Sequence, residues 1–401
     1  MGNVNNEELV KKAAIVADDL ATGGLLNPAQ SDKFIDYVID QTVLPNNART
    51  VRFRNQSLVI DKIGVGRRVA VPKTEASDPN VRRGISTSKI TLTPVEIMVP
   101  FEIGDNFREL NIEGDAVEDT VIRMMATQLA NDIEDLYING NKLGPAVTES
   151  EYNNDEGGST TKYVKDRFMA LQDGWSLLAE AGNIVDADGS NVGLSVFSSM
   201  IRAMPTKFRR NMKALRWFLS PDLWQLYLEK LSTRATALGD DAVGGGGGTP
   251  GPFGIPAVPI PLWAFQPKIV EHLVLTGSTP GALSNKNVSN VTVLPGALNA
   301  VATTPFIPVT DYTLDAANGT ITRNGSGITS GATVKVTYDA PPQILLTHQN
   351  NMIVGIGRDI RIEKDRDIYK SVNQYAITAK VSVQYEEVTA IVKAKNLGLN
   401  V

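Results

Sequence analysis

Hydrophobic positions along the chain recur with two different periods, and the longest helical stretch runs from Asp115 to Gly140. Val117, Val121, Met125, Leu129, Ile133 and Leu136 fall on one stripe of a 3.6-residue repeat, with Asp119, Arg123, Gln128, Asp132 and Asp135 occupying much of the remainder. Acidic residues crowd the first turn, where the helix dipole favours them, and Gly140 followed by Asn141 supplies a stop. A helix of this length would extend roughly 37 Å, long for a globular domain. Periodicity alone fits the spine of an elongated subunit and the core helix of an ordinary α+β enzyme equally well.

Ahead of the spine the period changes. Residues 1–49 read as an arm, with a short amphipathic piece from Leu9 to Leu20 and a second short helix suggested by Phe34, Val38 and Val43. From Thr50 to Phe107 apolar and polar residues alternate in two long strands joined by the polar stretch TEASDPNVRRGIS, the pattern of an extended hairpin. A lone two-stranded ribbon is marginally stable in water, so this one is expected to lie on something else.

Behind the spine, Tyr152 to Thr161 reads as a polar loop, and Val164, Phe168, Leu171, Trp175 and Leu178 predict a helix. Phe197, Met200, Ile201 and Met204 predict another, ended by Pro205. RWFLSPDLWQLYLEKL reads as a buried strand leading into a helix with Ser220 as N-cap, Pro221 as first helical residue, and Leu223, Tyr227 and Leu231 as the buried stripe. The glycine run Gly244–Gly248 lacks the Lys-Ser or Lys-Thr of a nucleotide loop and reads as a mobile loop at a subunit junction. GIPAVPIP reads as an extended edge. From 266 to 342 charges thin out and short strands follow one another, with Asn318-Gly319 signalling a type I′ turn. This is read as an inserted small β domain. The closing segment, 343–401, returns to alternating strands, in which Val381 and Val383 alternate with Ser382 and Gln384.

Composition narrows the chemistry. The chain of 401 residues has no cysteine, two histidines and a formal net charge of -5, so disulfides and thiolate metal sites are excluded and no global nucleic-acid signature is present. His272 and His348 sit in apolar, strand-like surroundings and read as structural residues. No stretch has the length and apolarity of a membrane span. The start of the chain resembles neither a secretion signal nor a myristoylation site, which leads to the expectation of a soluble protein made in a cytoplasm. Charge is distributed unevenly. The ribbon carries Arg52, Arg54, Lys62, Arg67, Arg68, Lys73, Arg82 and Arg83 against Asp61, Glu75 and Asp78, whereas the spine carries Glu113, Asp115, Glu118, Asp119, Asp132, Glu134 and Asp135. A basic ribbon of one copy docking on the acidic spine of another is the expectation. Lys207, Arg209, Arg210, Lys213 and Arg216 form a further basic cluster, read as a solvated helix face or a contact for a polyanion.

Catalytic patterns are missing: there is no GxSxG, HExxH, Walker loop or GxGxxG with its acidic partner. GVGRR (Gly64 to Arg68) lies inside a strand and lacks phosphate-loop spacing. Asp311 and Asp315 do not have the spacing of a Ca²⁺-binding EF-hand, and Asp365 and Asp367 read as one wet strand face. Catalytic, cofactor-binding and metal-binding residues are therefore all expected to be none, and the chain is expected not to be an enzyme.

The order of parts resembles the major capsid protein of tailed bacteriophages, the Hong Kong 97 type. The resemblance is carried by ANDIEDLYINGN (Ala130 to Asn141), RWFLSPDLWQLYLEKLSTRATALGD (Arg216 to Asp240), GIPAVPIP (Gly254 to Pro261) and NNMIVGIGRDIRIEKDRD (Asn350 to Asp367). It implies an α+β capsid fold: N-terminal arm 1–49, extended β-hairpin loop 50–107, peripheral domain with the spine helix 108–161, axial α/β domain 162–265, inserted β-sandwich-like domain 266–342, and closing strands of the axial and peripheral domains 343–401. It also implies self-assembly as hexamers and pentamers into an icosahedral shell around double-stranded DNA. Expected partners are a portal, a separate scaffolding or decoration protein, and packaged DNA by weak non-specific contact, without a membrane. The expected location is the virion, assembled in the host cytoplasm. An encapsulin-type compartment shares the fold. A surface adhesin, motivated by the β insertion, and a motif-poor hydrolase are the readings from other classes.

Overall fold

The computed structural model describes residues 14–15, 47–53, 57–64, 70, 86–110, 116–148, 163–233, 251–296, 304–325 and 327–398. In chain order the first elements are strands β1 (Ala14–Ile15), β2 (Arg49–Arg52), β3 (Leu58–Gly64), β4 (Ser86–Leu92) and β5 (Val95–Gly104), then helices α1 (Asp105–Leu110) and α2 (Ala116–Asn139). The middle holds β6 (Ala146–Thr148), β7 (Tyr163–Lys165), α3 (Trp175–Leu178), β8 (Asn183–Asp186), α4 (Leu194–Ala203), β9 (Leu215–Leu219), α5 (Pro221–Ser232) and β10 (Ala257–Pro259). Then come β11 (Lys268–Leu275), β12 (Gly281–Ala282), β13 (Ser289–Pro295), β14 (Tyr312–Asp315), β15 (Thr320–Arg323) and β16 (Ala332–Asp339), followed by β17 (Ile344–His348), β18 (Met352–Asp367), β19 (Val372–Tyr385) and β20 (Val392–Lys395).

One sheet has the order β1-β5-β19-β18-β2, its centre antiparallel and its two outer strands parallel to their neighbours. Ile97, Phe101 and Ile103 alternate inward along β5, as do Tyr375, Ile377, Ala379 and Val381 along β19, and helix α2 covers them with Leu129, Ile133, Leu136 and Tyr137. The last turns of α2 are buried nearly all round, while its middle exposes Arg123, Met124 and Gln128. Gly140 ends it for a steric reason: a Cβ there would lie 2.5 Å from the carbonyl oxygens of both Leu136 and Gln172.

The second sheet, β10-β9-β17-β20-β8, is buried on both faces. Leu215, Trp217 and Leu219 of β9 meet α4 and α5 through Phe197, Met200, Leu223 and Tyr227, whereas Phe218 between them joins the spine's core. That two-sided burial explains why LRWFL reads as a continuous apolar run. Ser220 caps α5 by accepting the Leu223 N–H at 3.3 Å, with Pro221 opening the helix, as its sequence requires. The strands between 268 and 339 form two three-stranded antiparallel sheets, β11-β16-β13 and β12-β15-β14, around their own apolar cluster of Leu275, Val293, Ile321, Val336 and Tyr338.

Four expectations are corrected. Residues 164–178 do not form one helix: after β7 the chain turns, and only α3 is helical. The Asp166 carboxylate accepts the Phe168 and Met169 N–H groups, Asn141 N–H donates to Met169 O at 2.8 Å, and Gly174 N–H donates to Gly140 O at 2.7 Å. These bonds tie the segment to the spine's end and outcompete helical ones, while Phe168, Leu171 and Trp175 still face the core. The hairpin at Asn318-Gly319 is a four-residue loop, Ala316 to Gly319, in which only Gly319 is left-handed (φ 61). Asp315 takes the Asn318 backbone and side-chain N–H groups and so holds this wider turn. Within Leu9–Leu20, Ala14 and Ile15 form a strand paired with Glu102 and Ile103, because β5 offers them an open sheet edge. The far half of β18 has no dry face: Arg361 to Arg366 are all exposed, Ile362 included, since β2 pairs only with Ile353 to Ile356 and beyond them β18 is an open edge of the sheet. The predicted helix around Phe34 to Val43 and the run Gly244–Gly248 lie outside the described residues.

Candidate functional site

The candidate site is a set of surfaces rather than a cleft. At the root of the β3–β4 hairpin Ile90 and Leu92 are buried, which anchors the ribbon to its own subunit. Lys62 donates to the Glu386 carbonyl and lies 3.3 Å from the Glu387 carboxylate, and Arg49 lies 3.1 Å from Glu386. A hydrogen bond from Thr389, with Lys62 beside it, holds the Glu387 carboxyl below its ordinary range. Arg54, Arg67, Arg68, Lys73, Arg82 and Arg83 lie outside the described residues, as do Glu75, Asp78, Glu113 and Asp115.

Much of the spine's acidity is used within the subunit. Glu118 pairs with Lys364 of β18, Asp132 accepts from Gln128 at 2.8 Å, Asp135 accepts from Asn139 at 2.6 Å, and Glu134 is buried. Burial raises the carboxyls of Asp132 and Asp135 above their ordinary range. Glu118, Asp132 and Asp135 thus stand half-buried on the described part of α2, each with a partner inside the subunit. Helical periodicity placed Glu118, Asp132 and Asp135 near one another without revealing the Lys364 partner that β18 brings to Glu118.

The basic cluster sits on a 3₁₀ segment, Arg209–Ala214, rather than on an α-helix. Arg216 donates to the carbonyls of Lys213 and Leu215, Arg209 to Thr206 Oγ1, and Lys207 lies over the Phe208 ring. Lys207, Arg210 and Lys213 face solvent. His348 Nε2 lies 2.8 Å from the Phe208 carbonyl, a structural contact. His272 is exposed on β11, where partial burial of the ring, with Lys335 and Lys165 nearby, holds its pKa below the usual value.

Carboxylates singled out in the sequence do not converge. Asp367 accepts the Tyr369 and Lys370 N–H groups at the hairpin turn, Asp365 accepts the Arg366 N–H, and Arg366 pairs with Asp105 at 2.9 Å. Asp311 is engaged by the Ile307 N–H and Asp315 by Asn318. Among the described residues no group of three or more His, Asp or Glu is arranged to hold a metal, and no helix is long and apolar enough to cross a membrane. A groove of about 450 Å³ lies between Glu96, Ile97 and Met98 and the turn at Asp166 to Leu171.

Two features escaped pattern reading. Lys335, a cation between Val334 and Val336 of β16, is 1% exposed and donates to the Leu143 carbonyl just beyond the spine. Asn141 Nδ2 donates to Val270 O, and Lys286 donates through Nζ to Asp188 and through its backbone N–H to Asn396 Oδ1, so polar contacts fix the two three-stranded sheets to the rest of the molecule. Although burial alone would raise it, bonds from Asn396 and Asp188 together with Lys286 and Lys395 hold Asp186 low. The second feature is Phe253, a half-exposed aromatic in left-handed backbone.

A spine helix laid across a long-stranded sheet, a second mixed sheet with its own helices, and the β3–β4 hairpin make up a mixed α+β fold. The chain is similar to the subunit in the capsid of a native GTA particle at a TM-score of 0.50 and 13% identity, covering 96% of this chain and 100% of that one. Among curated proteins it is 27% identical over 398 residues to the Bacillus subtilis (strain 168) protein named "Putative prophage capsid protein YqbE", covering 97% of this chain and 98% of that protein. No family model matches the chain.

Proposed function

We propose that this chain is the major capsid protein of a tailed phage, a subunit that self-assembles into the shell enclosing the genome. The observation that carries the reading is similarity running end to end: 27% identity across 97% of the chain to a protein named for a prophage capsid. The capsid-type fold agrees with it. The role is mechanical and places no demand on a reactive residue.

In finer detail we read a Hong Kong 97 type subunit with an icosahedral arrangement around double-stranded DNA. Residues 1–49 are the arm, 50–107 the extended loop, 108–161 the peripheral domain, 162–265 the axial domain, 266–342 an inserted domain and 343–401 the closing strands. The strand pairing supports the last assignment: β18 and β19 join the sheet of β5, while β17 and β20 join that of β9. Portal, scaffolding or decoration proteins and weakly held DNA are its partners on this reading, and assembly takes place in the host cytoplasm. Shell strength comes from many modest contacts acting together.

Electron microscopy of the expressed chain tests the reading. Closed shells, or rings of five and six copies, are expected, with nuclease-protected double-stranded DNA inside shells recovered from virions. A chain that stays monomeric at every concentration overturns the shell. Shells filled with a protein cargo and devoid of DNA move it to the encapsulin-type compartment.

A further inference from the structure

Phe253 has φ 57 and ψ 28, the left-handed region that a bulky side chain adopts only under strain. Its surroundings hold it there. Gly251 approaches Ile255 so closely that a Cβ would lie 1.9 Å from the Ile255 carbonyl, Gly254 N–H donates to Gly251 O at 3.0 Å, and the buried Trp217 indole donates to Pro252 O at 3.2 Å. The result is an aromatic ring 52% exposed on a rigid turn. The core gains little from it in return for the strain, so the strain points outward to a contact.

The topology places companions beside it. Strands β9 and β10 are parallel with Trp217 opposite Ala257, so the 3₁₀ segments preceding them, Arg209–Ala214 and Pro252–Gly254, lie at the same end of the sheet. Met212 there is 38% exposed. Arg210 and Lys213 are exposed and make no ion pair among the described residues. The same domain carries the complementary charge on a different surface. Asp222, Gln225 and Glu229 are exposed on one face of α5, opposite its buried Leu223, Tyr227 and Leu231, and neither acid has an ion-pair partner among the described residues. Lys230, the exposed cation of α5, leans over Gly193.

We infer that the Phe253 and Met212 end, flanked by Arg210 and Lys213, docks on the Asp222 to Glu229 face of α5 in a second copy of this chain. The two surfaces differ, so the contact is head-to-tail and every copy can offer one while receiving the other, the geometry that closes rings. Its apolar centre and charged margin match the usual anatomy of an interface. This inference rests on the shell reading and names the surfaces that reading leaves unspecified.

The test uses the full chain and follows both assembly and subunit melting. Phe253→Asn keeps a residue that tolerates left-handed backbone, so its melting point is expected to be no lower than that of the unmodified chain, while each contact weakens about tenfold, roughly 1.4 kcal/mol, and shell yield falls by more than that because many contacts are lost together. Arg210→Glu with Lys213→Glu, and separately Asp222→Lys with Glu229→Lys, are each expected to abolish assembly with melting little changed. Combining all four in one chain restores it, because each copy again presents complementary surfaces. Shells at normal yield from Phe253→Asn and from both charge-reversed chains overturn the inference and leave the shell reading intact. So does failure of the combined chain to regain assembly while it melts normally. Absence of self-association in the unmodified chain overturns both.

Discussion

Replacing Lys335 with Met should change the sign of its effect on stability between neutral and strongly alkaline pH. The ammonium is buried on β16, bonded to the Leu143 carbonyl at 2.9 Å, and burial together with Lys165 lowers its pKa from 10.5 to about 8. The unfolded chain holds the proton up to its own pKa, whereas the folded chain releases it near the lower one. The charge is thus a full burden on the fold below about pH 8, a shrinking one up to 10.5, and none above that. At pH 7 the burden is about 3 kcal/mol. Removing the hydrogen bond costs about 1 kcal/mol at any pH. Lys335→Met, of similar length and without charge, is therefore expected to be more stable by about 2 kcal/mol at pH 7 and less stable by about 1 kcal/mol above pH 10.5. Urea unfolding of the dissociated subunit, followed by tryptophan fluorescence at both pH values, measures the two differences. A variant less stable at pH 7, or a difference that does not move with pH, would refute the assignment of a charge burden to this site.

Two further substitutions probe how the elements are held. Ser220→Ala removes the side-chain acceptor for the Leu223 N–H and should lower stability by about 1 kcal/mol, read as a shifted urea midpoint with unchanged slope; a shift below a few tenths would show that water satisfies the helix start as well. Gly174→Ala would place a Cβ 2.6 Å from the Ile138 carbonyl, where backbone from the spine cannot move aside, and soluble folded subunit should be lost; wild-type melting from that variant would mean the spine's end and the turn do not pack as described.

Local chemistry was enough to make the spine and the β9–α5 unit legible. A sustained 3.6-residue repeat with acids at one end and glycine at the other permits little besides a helix, and α2 runs from Ala116 to Asn139. Ser220 and Pro221 mark a helix start wherever they precede a periodic apolar stripe, and α5 begins there. Charge patterns were less informative. Glu118, Asp132 and Asp135 share a helix face by arithmetic, yet their partners come from elsewhere in the fold or from neighbouring turns, so their availability to another copy was a tertiary matter.

What the sequence by itself determined is the set of elements whose stability is local: the spine, the short capped helices, the alternating strands, and the absence of thiol chemistry. The tertiary structure alone decided which faces those elements bury. Residues 164–178 have a helical stripe, but Gly140 and Asp166 offer their backbone better partners. Lys335 sits on the polar phase of its strand and is buried because the turn after the spine lies over that phase. Phe253 is held in left-handed backbone by Trp217, 36 residues away, and by a glycine that lets the chain cross itself. Periodicity is a property of neighbours along the chain, whereas burial, strain and free charge depend on partners brought from a distance, and an assembly surface is built from those three.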